Sequence, residues 1–257
     1  MSLDLLPPKE RKGSRARCVL LTHGPAETVA ARLTRLVDVP GAVVRPTHNW
    51  APRGFAAPAE VQLDKAGSPV AEASRTLLRR WWLGHDEPRK TPTWDLVSEI
   101  AIEDRSGILL VEAKAHDREL MNEEVGKRVP KAPSEGSDAN RARIGAAIDE
   151  AKRGLTAATR STWSISRDSS YQMSNRFAWA WRLAHSGVPV VLVYLGFLGA
   201  EEMRGDAQHP LASHADWERL VRAHSRSVVP ADVWNSSITV GDARLTALIR
   251  STQIGIS

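Results

Sequence analysis

The segment ILLVEAKAH, residues 108–116, carries Glu112 and Lys114 two positions apart at the end of an aliphatic run. Side chains alternate between faces along a strand, so Ile108, Leu110, Glu112 and Lys114 fall on one face. Leu109, Val111, Ala113 and Ala115 fall on the other. Both faces begin apolar, as expected of a central strand, and only one turns charged, at the C-terminal end. Burying a carboxylate or an ammonium costs on the order of several kcal/mol unless it is paired or holds a metal. One reading is therefore an ion pair at the rim of a sheet.

The other reading recruits Asp95, which follows TPTW seventeen residues before Glu112. If residues 95–104 form the partner strand of a hairpin, both carboxylates head the same end of adjacent strands. Two such acids beside a lysine would hold a hard divalent cation, Mg²⁺ or Mn²⁺, and leave coordination sites for water and phosphate. The metal would activate water while Lys114 steadies the nucleophile or the phosphate charge. Removing Glu112 should on this reading relieve repulsion with Asp95.

This order of residues and elements resembles the PD-(D/E)XK, or restriction-endonuclease-like, nuclease superfamily. The resemblance rests on Asp95, Glu112, Ala113 and Lys114, on the hairpin between them, and on the later apolar run VPVVLVYLGFL. It covers about residues 70–200, and it departs from the pattern where Trp94, not proline, precedes Asp95. It implies that Asp95 and Glu112 are the metal-binding acids and Lys114 the catalytic lysine. The implied activity is metal-dependent hydrolysis of phosphodiester bonds in nucleic acid, DNA foremost. The implied architecture is α/β: a restriction-endonuclease-like mixed central sheet flanked by helices, with N- and C-terminal elaborations on one domain spanning 1–257. Alternatives are a non-catalytic nucleic-acid-binding or assembly module on the same fold, and an unrelated α/β protein with a structural E-x-K pair.

Further polar residues compete for the site. Glu99 shares the parity of Asp95 and ranks second as the acid. Glu72, at a helix start, matches the helix carboxylate of some superfamily members, although a first-turn Glu also simply favours the helix dipole. His116 continues the Glu112–Lys114 face toward substrate. In YQMSNRFAWAWRLA, Gln172, Asn175, Arg176 and Trp179 recur at helical spacing, while Phe177, Trp181 and Ala184 form a core stripe. Some relatives place a glutamine on the helix after the E-x-K strand, which makes Gln172 and Asn175 candidates for substrate binding. The role of Tyr171 stays open.

The elements that must position these residues follow from periodicity and punctuation. ARCVLLTHGPAETVAARLTRL reads as a strand, a turn at Gly24-Pro25 and a helix. VAEASRTLLRRWWLG reads as a helix, DLVSEIAIED and GILLVEAKA as a hairpin, and residues 117–138 as a mobile surface loop over the site. Helices follow from near Asp138 and over SYQMSNRFAWAWRLAHSG, then the apolar strand, a helix containing DWERLVRAH, and a last strand and helix in SSITVGDARLTALIRS.

The 257 residues carry 35 Lys and Arg against 30 acids, a net charge of +5, which suits a polyanionic partner without demanding one. Cys18 is the single cysteine, so no intramolecular disulfide and no cysteine-built zinc site can form. No stretch approaches bilayer-spanning length and no signal peptide is legible, so a cytoplasmic protein without membrane contact is expected. The eight histidines show no H-E-x-x-H spacing, and G-x-S-x-G and G-x-G-x-x-G are missing.

Overall fold

The computed structural model describes residues 3–84, 91–127 and 134–256. Along the chain lie α1 (Gly13–Leu21), α2 (Ala26–Val37), β1 (Ala42–Val43), β2 (Trp50–Ala51), β3 (Val61–Gln62) and α3 (Glu72–Leu83). Next come β4 (Thr93–Trp94), β5 (Leu96–Ile102), β6 (Arg105–Lys114), α4 (Asp117–Met121) and α5 (Glu135–Thr159). The chain closes with α6 (Tyr171–His185), β7 (Val190–Leu198), α7 (His214–Ser225), β8 (Ser236–Val240) and β9 (Ala243–Gln253).

A seven-stranded mixed sheet in the order β1-β5-β6-β7-β9-β8, with β2 also on the outer edge of β5, organises this α/β chain. β5 and β6 form the expected hairpin, with Leu96 opposite Val111 and Ile102 opposite Arg105. Its turn consists of Glu103 and Asp104, with φ of 48° and 63°, the left-handed pair that matches the strands' twist in a two-residue hairpin. After β6 the chain crosses over through α5 and α6 and returns as β7, parallel to β6; β9 lies parallel to β7. Strands outside residues 70–200 thus extend the same sheet.

β6 is buried on both faces, as its aliphatic run demands. Ile108 and Leu110 pack with Trp82, Ile148, Phe177 and Trp179 from the α3, α5 and α6 layer. Leu109, Val111, Ala113 and Ala115 pack with Cys18, Leu33 and Leu36 from the α1 and α2 layer. Burial of this much aliphatic and aromatic surface on both sides supplies the main favourable term that holds β6 central, about 25 cal/mol per Å² of apolar area. Two glycines permit close approaches. A Cβ on Gly154 of α5 would lie 2.4 Å from the Trp181 indole, and one on Gly196 of β7 would lie 2.6 Å from the Trp217 ring. Trp217 of α7 therefore packs down on β7 beside Lys114, which pairs with Gly196 in register.

Three elements differ from the sequence expectation. CVLL belongs to α1, not to a strand: Cys18 and Leu21 face the sheet while Ala16 and Val19 face a small second cluster with Leu6 and Phe55. A short apolar run buried on several sides reads the same as a strand. ARLTALIRS is β9 and not a helix, because Leu245, Ala247 and Ile249 alternate with Leu248 between the two cores. Of the expected loop 117–138, residues 117–124 are helical and α5 begins at Glu135, capped by a reciprocal Ser134–Ser137 box. Residues 128–133 of that loop lie outside the described residues, as do 85–90 of the segment before β4.

Candidate active site

Glu112 is 1% exposed and lies on the α6 side of β6, level with Tyr194 of β7. Its Oε1 accepts from Lys114 Nζ and from Gln172 Nε2, and its Oε2 accepts from Arg176 Nε at 2.5 Å. Gln172 and Arg176 reach it together because they are one helical turn apart on α6. Arg176 is fixed in turn: it donates to the Thr93 carbonyl at 2.7 Å and to Asn175 Oδ1 at 3.0 Å, and its guanidinium lies 4.4 Å over the Trp94 ring.

Asp95 stands one position before Leu96, whose partner is Val111, and so is level with Glu112. Its Oδ2 accepts from the Ala113 backbone N–H at 2.7 Å. Lys114, 5% exposed, bridges to a third acid, Glu123, with Nζ 2.8 Å from Oε1. Glu123 is itself buried, and neither of its oxygens receives a well-directed hydrogen bond. Behind it His224 Nε2 lies 3.9 Å from Oε2, both His224 nitrogens are unpartnered, and so is the buried Tyr194 hydroxyl.

Three carboxylates thus meet two cations, and the electrostatics follow from that imbalance. Burial and then the charge of Glu112 push the Asp95 carboxyl up to about 8, against the pull of Lys114 and the Ala113 N–H. Burial alone would raise Glu112 too, but Arg176 and Lys114 outweigh it and hold this carboxyl below the ordinary range. Glu123 is raised, by burial first and by Glu112, with Lys114 opposing. Burial would lower Lys114, yet Glu112, Glu123 and Asp95 together raise it, so its ammonium stays charged.

The structure gathers Asp95, Glu112, Lys114 and Gln172 into one cluster. Asn175 is buried and buttresses Arg176 from behind. His116, 6% exposed, precedes α4 with Nε2 3.8 Å from Glu119 Oε1 and Nδ1 unpartnered. Glu99 is committed elsewhere, accepting from the Asn49 backbone and side-chain amides at 2.9 and 3.1 Å. Glu72 is exposed in the first turn of α3. The stripe Gln172, Asn175, Arg176 and Trp179 is no open binding face: Trp179 is fully buried against Trp81 and Trp82. Sequence reasoning missed Arg176 as the second cation on Glu112, although its i, i+4 spacing from Gln172 was the available signal. Glu123 was missed because an acidic turn without periodicity carries none. Glu112 does repel Asp95, as expected, but it is also the shared partner of Lys114 and Arg176, so its removal gives up two ion pairs as well as that repulsion.

A recess of about 310 Å³ lined by Asn122, Glu123, Lys127, Tyr171 and Gln172 opens onto the cluster. Lys127 Nζ sits 5.0 Å over the Tyr171 ring, and burial followed by the nearby Arg141 lowers its pKa. No family model, curated protein or solved structure matches the chain.

Proposed function

We propose that the chain is a metal-dependent nuclease on a restriction-endonuclease-like core, hydrolysing phosphodiester bonds with DNA as the first substrate to test. The observation that carries the reading is the juxtaposition of Asp95, in the bend just before β5, with Glu112 and Lys114 at the end of the neighbouring β6, an acid pushed up to about 8 beside an ionised pair. The hairpin, the helical crossover and the parallel return strand occur in the order that the resemblance implies.

The donor set suits Mg²⁺ or Mn²⁺. All the candidate donors are carboxylate oxygens, and Asp95 receives only a neutral N–H, so it is the acid short of a cation. An ion of the Mg²⁺ class takes one or two carboxylates and completes its shell with water and substrate phosphate. A cation held by Asp95 and Glu112 would polarise the phosphoryl oxygen and acidify a water.

The chain's own groups divide the remaining work. Lys114, kept protonated by its acidic neighbours, acts through charge and hydrogen bonding on the phosphate or the attacking oxygen, not as a proton acceptor. Glu123 holds its Nζ, Gln172 and Arg176 set the orientation of Glu112, and Lys127 at the recess offers a phosphate a second cation.

One observation favours a second reading, a purely structural charge network or a non-catalytic module: both Glu112 oxygens already have cationic partners. Cleavage of mixed DNA and RNA with Mg²⁺ or Mn²⁺, beside calorimetric Mg²⁺ titration, separates the two. Lys114→Ala should lose cleavage by roughly 10²–10³-fold while still binding Mg²⁺. Glu112→Gln should lose both. A wild-type protein with neither cleavage nor a Mg²⁺ heat sinks the nuclease reading.

A further inference from the structure

On the opposite side of the sheet from Glu112, the C-terminal end of β9 and the helices α1 and α2 enclose a cleft of about 740 Å³. Its apolar part is Leu20, Leu21, Leu36 and Ile254. Its charged part is Arg32, Arg35 and Arg250, opposed within the lining only by Asp38. Among the described residues none of the three arginines forms an ion pair. Arg250 is the telling one. It is half-buried and pinned by the Val37 carbonyl at 3.2 Å and Asn235 Oδ1 at 3.1 Å, both neutral acceptors. Burial lowers its pKa. Asp38 and Glu218 attract it only from beyond ion-pair distance and do not offset its burial, so this fixed, partly desolvated guanidinium has no carboxylate in direct contact and can take an anion. Arg32 is likewise held, donating to the His23 carbonyl at 2.8 Å, while Arg35 is exposed at the mouth.

The cleft's location points the same way. Ligands of open α/β sheets gather outside the carboxyl ends of parallel strands. Lys114, Gly196 and Ser251 form one row across β6, β7 and β9 at that end, so Ser251 at the cleft lies two strand spacings, about 10 Å, from Lys114.

We propose that this cleft binds a nucleoside phosphate, its phosphate on the arginines and its base against the leucines. Inorganic phosphate would use only the first half of the site, and an uncharged nucleoside only the second. The same chemistry could arrive as a free nucleotide or as one unit of a single strand that crosses the sheet edge. The inference does not depend on the nuclease reading, because it concerns the other face and needs no metal.

The test is calorimetry on the full chain in EDTA, which keeps the outcome separate from metal binding at Asp95 and Glu112. The probes are adenosine monophosphate, adenosine, inorganic phosphate and an oligothymidylate, each against wild type and Arg35→Glu. Because Arg35 is exposed, this variant should melt as wild type does. One-to-one binding of the monophosphate, at least about tenfold tighter than adenosine or phosphate and at least about tenfold weaker in Arg35→Glu, is the expected result. If the oligothymidylate displaces the monophosphate and loses affinity in the same variant, the source is a strand; if it does not, the source is a free nucleotide. Binding unchanged by Arg35→Glu, phosphate alone binding as well as the nucleotide, or no saturable binding of either nucleotide probe up to about 1 mM would overturn the proposal.

Discussion

Two buried acids in this chain show opposite solutions to the same electrostatic problem. Asp64, fully buried, has its Oδ1 on the Thr91 hydroxyl and its Oδ2 between Lys65 Nζ at 3.3 Å and Arg79 Nε at 3.4 Å. One acid meets two cations, and these keep contact with solvent: the Lys65 and Arg79 side chains are 33% and 26% exposed. Around Glu112 three acids meet two cations, Lys114 and Arg176 are each 6% exposed, and buried polar atoms of Glu123, Tyr194 and His224 receive no well-directed hydrogen bond. The first arrangement is satisfied and joins a loop to α3. The second is unsatisfied within a core that could have been apolar. Buried polar groups without partners are few in folded proteins, and each calls for a reason such as a water, an ion or a catalytic role. The difference teaches that the burial of a charge is uninformative alone; the residual imbalance points to function.

The sharpest way to break the comparison is to delete the hub of each cluster. Glu112→Ala leaves Lys114 and Arg176 in the core without their shared partner, and breaking such a pair costs about 3–5 kcal/mol. Asp64→Ala leaves two cations that can turn to solvent, so its loss should be smaller, about 1–3 kcal/mol, mostly from unmade hydrogen bonds. Urea melts of the two variants measure this. Equal losses would mean that exposure of the partners does not set the cost.

Next in size is a pH-dependent effect confined to the unbalanced cluster. The Asp95 carboxyl titrates near 8 in the folded chain against an ordinary 3.8. The folded state therefore keeps a proton that the unfolded state gives up, and the contribution to stability falls as pH rises from about 4 to about 8. Asp95→Asn removes that loss. It should match wild type near pH 4 and be more stable at pH 8, by on the order of a few kcal/mol in metal-free buffer. Wild-type and variant stability curves that run parallel from pH 4 to 8 would show that Asp95 ionises normally.

How much of this was legible depends on which forces wrote each residue into the sequence. The hairpin and the two faces of β6 were readable because alternation and aliphatic runs are dictated by burial on both sides. Asp95 and Glu112 were readable because a hairpin register converts sequence distance into adjacency. Gln172 was legible by its helical spacing, but its target was not, since spacing names a face and not what faces it. Glu123 escaped because its position is set by α4 and the turn after it docking near α7, a tertiary choice without a local pattern. β9 was misread for a related reason: ARLTALIRS has helix-forming residues, and parallel pairing with β7 overrides that preference.

The smallest effect sharpens the comparison most cleanly, because it removes a lysine from each cluster. Lys65 and Lys114 both bridge a buried carboxylate, at 3.3 Å to Asp64 and at 2.8 Å to Glu123. Lys65 is a rim residue, a third exposed, and Arg79 and Thr91 still serve Asp64 when it is gone. Exposed pairs contribute about 0–1 kcal/mol, so Lys65→Ala should change stability by no more than that and should respond weakly to salt. Lys114→Ala has no such reserve: Glu112 retains Arg176, but Glu123 keeps no cation within ion-pair distance except a neutral-leaning His224, whose pKa burial lowers. The carboxyl of Glu123 should then take up a proton in the variant, and the melting temperature should fall as pH rises past neutrality. Thermal melts of both lysine variants between pH 5 and 8, ends chosen to span roughly the range in which a raised carboxyl titrates, provide the check. A pH-independent melting difference for Lys114→Ala, or a loss in Lys65→Ala as large as in Lys114→Ala, would erase the distinction between the two clusters.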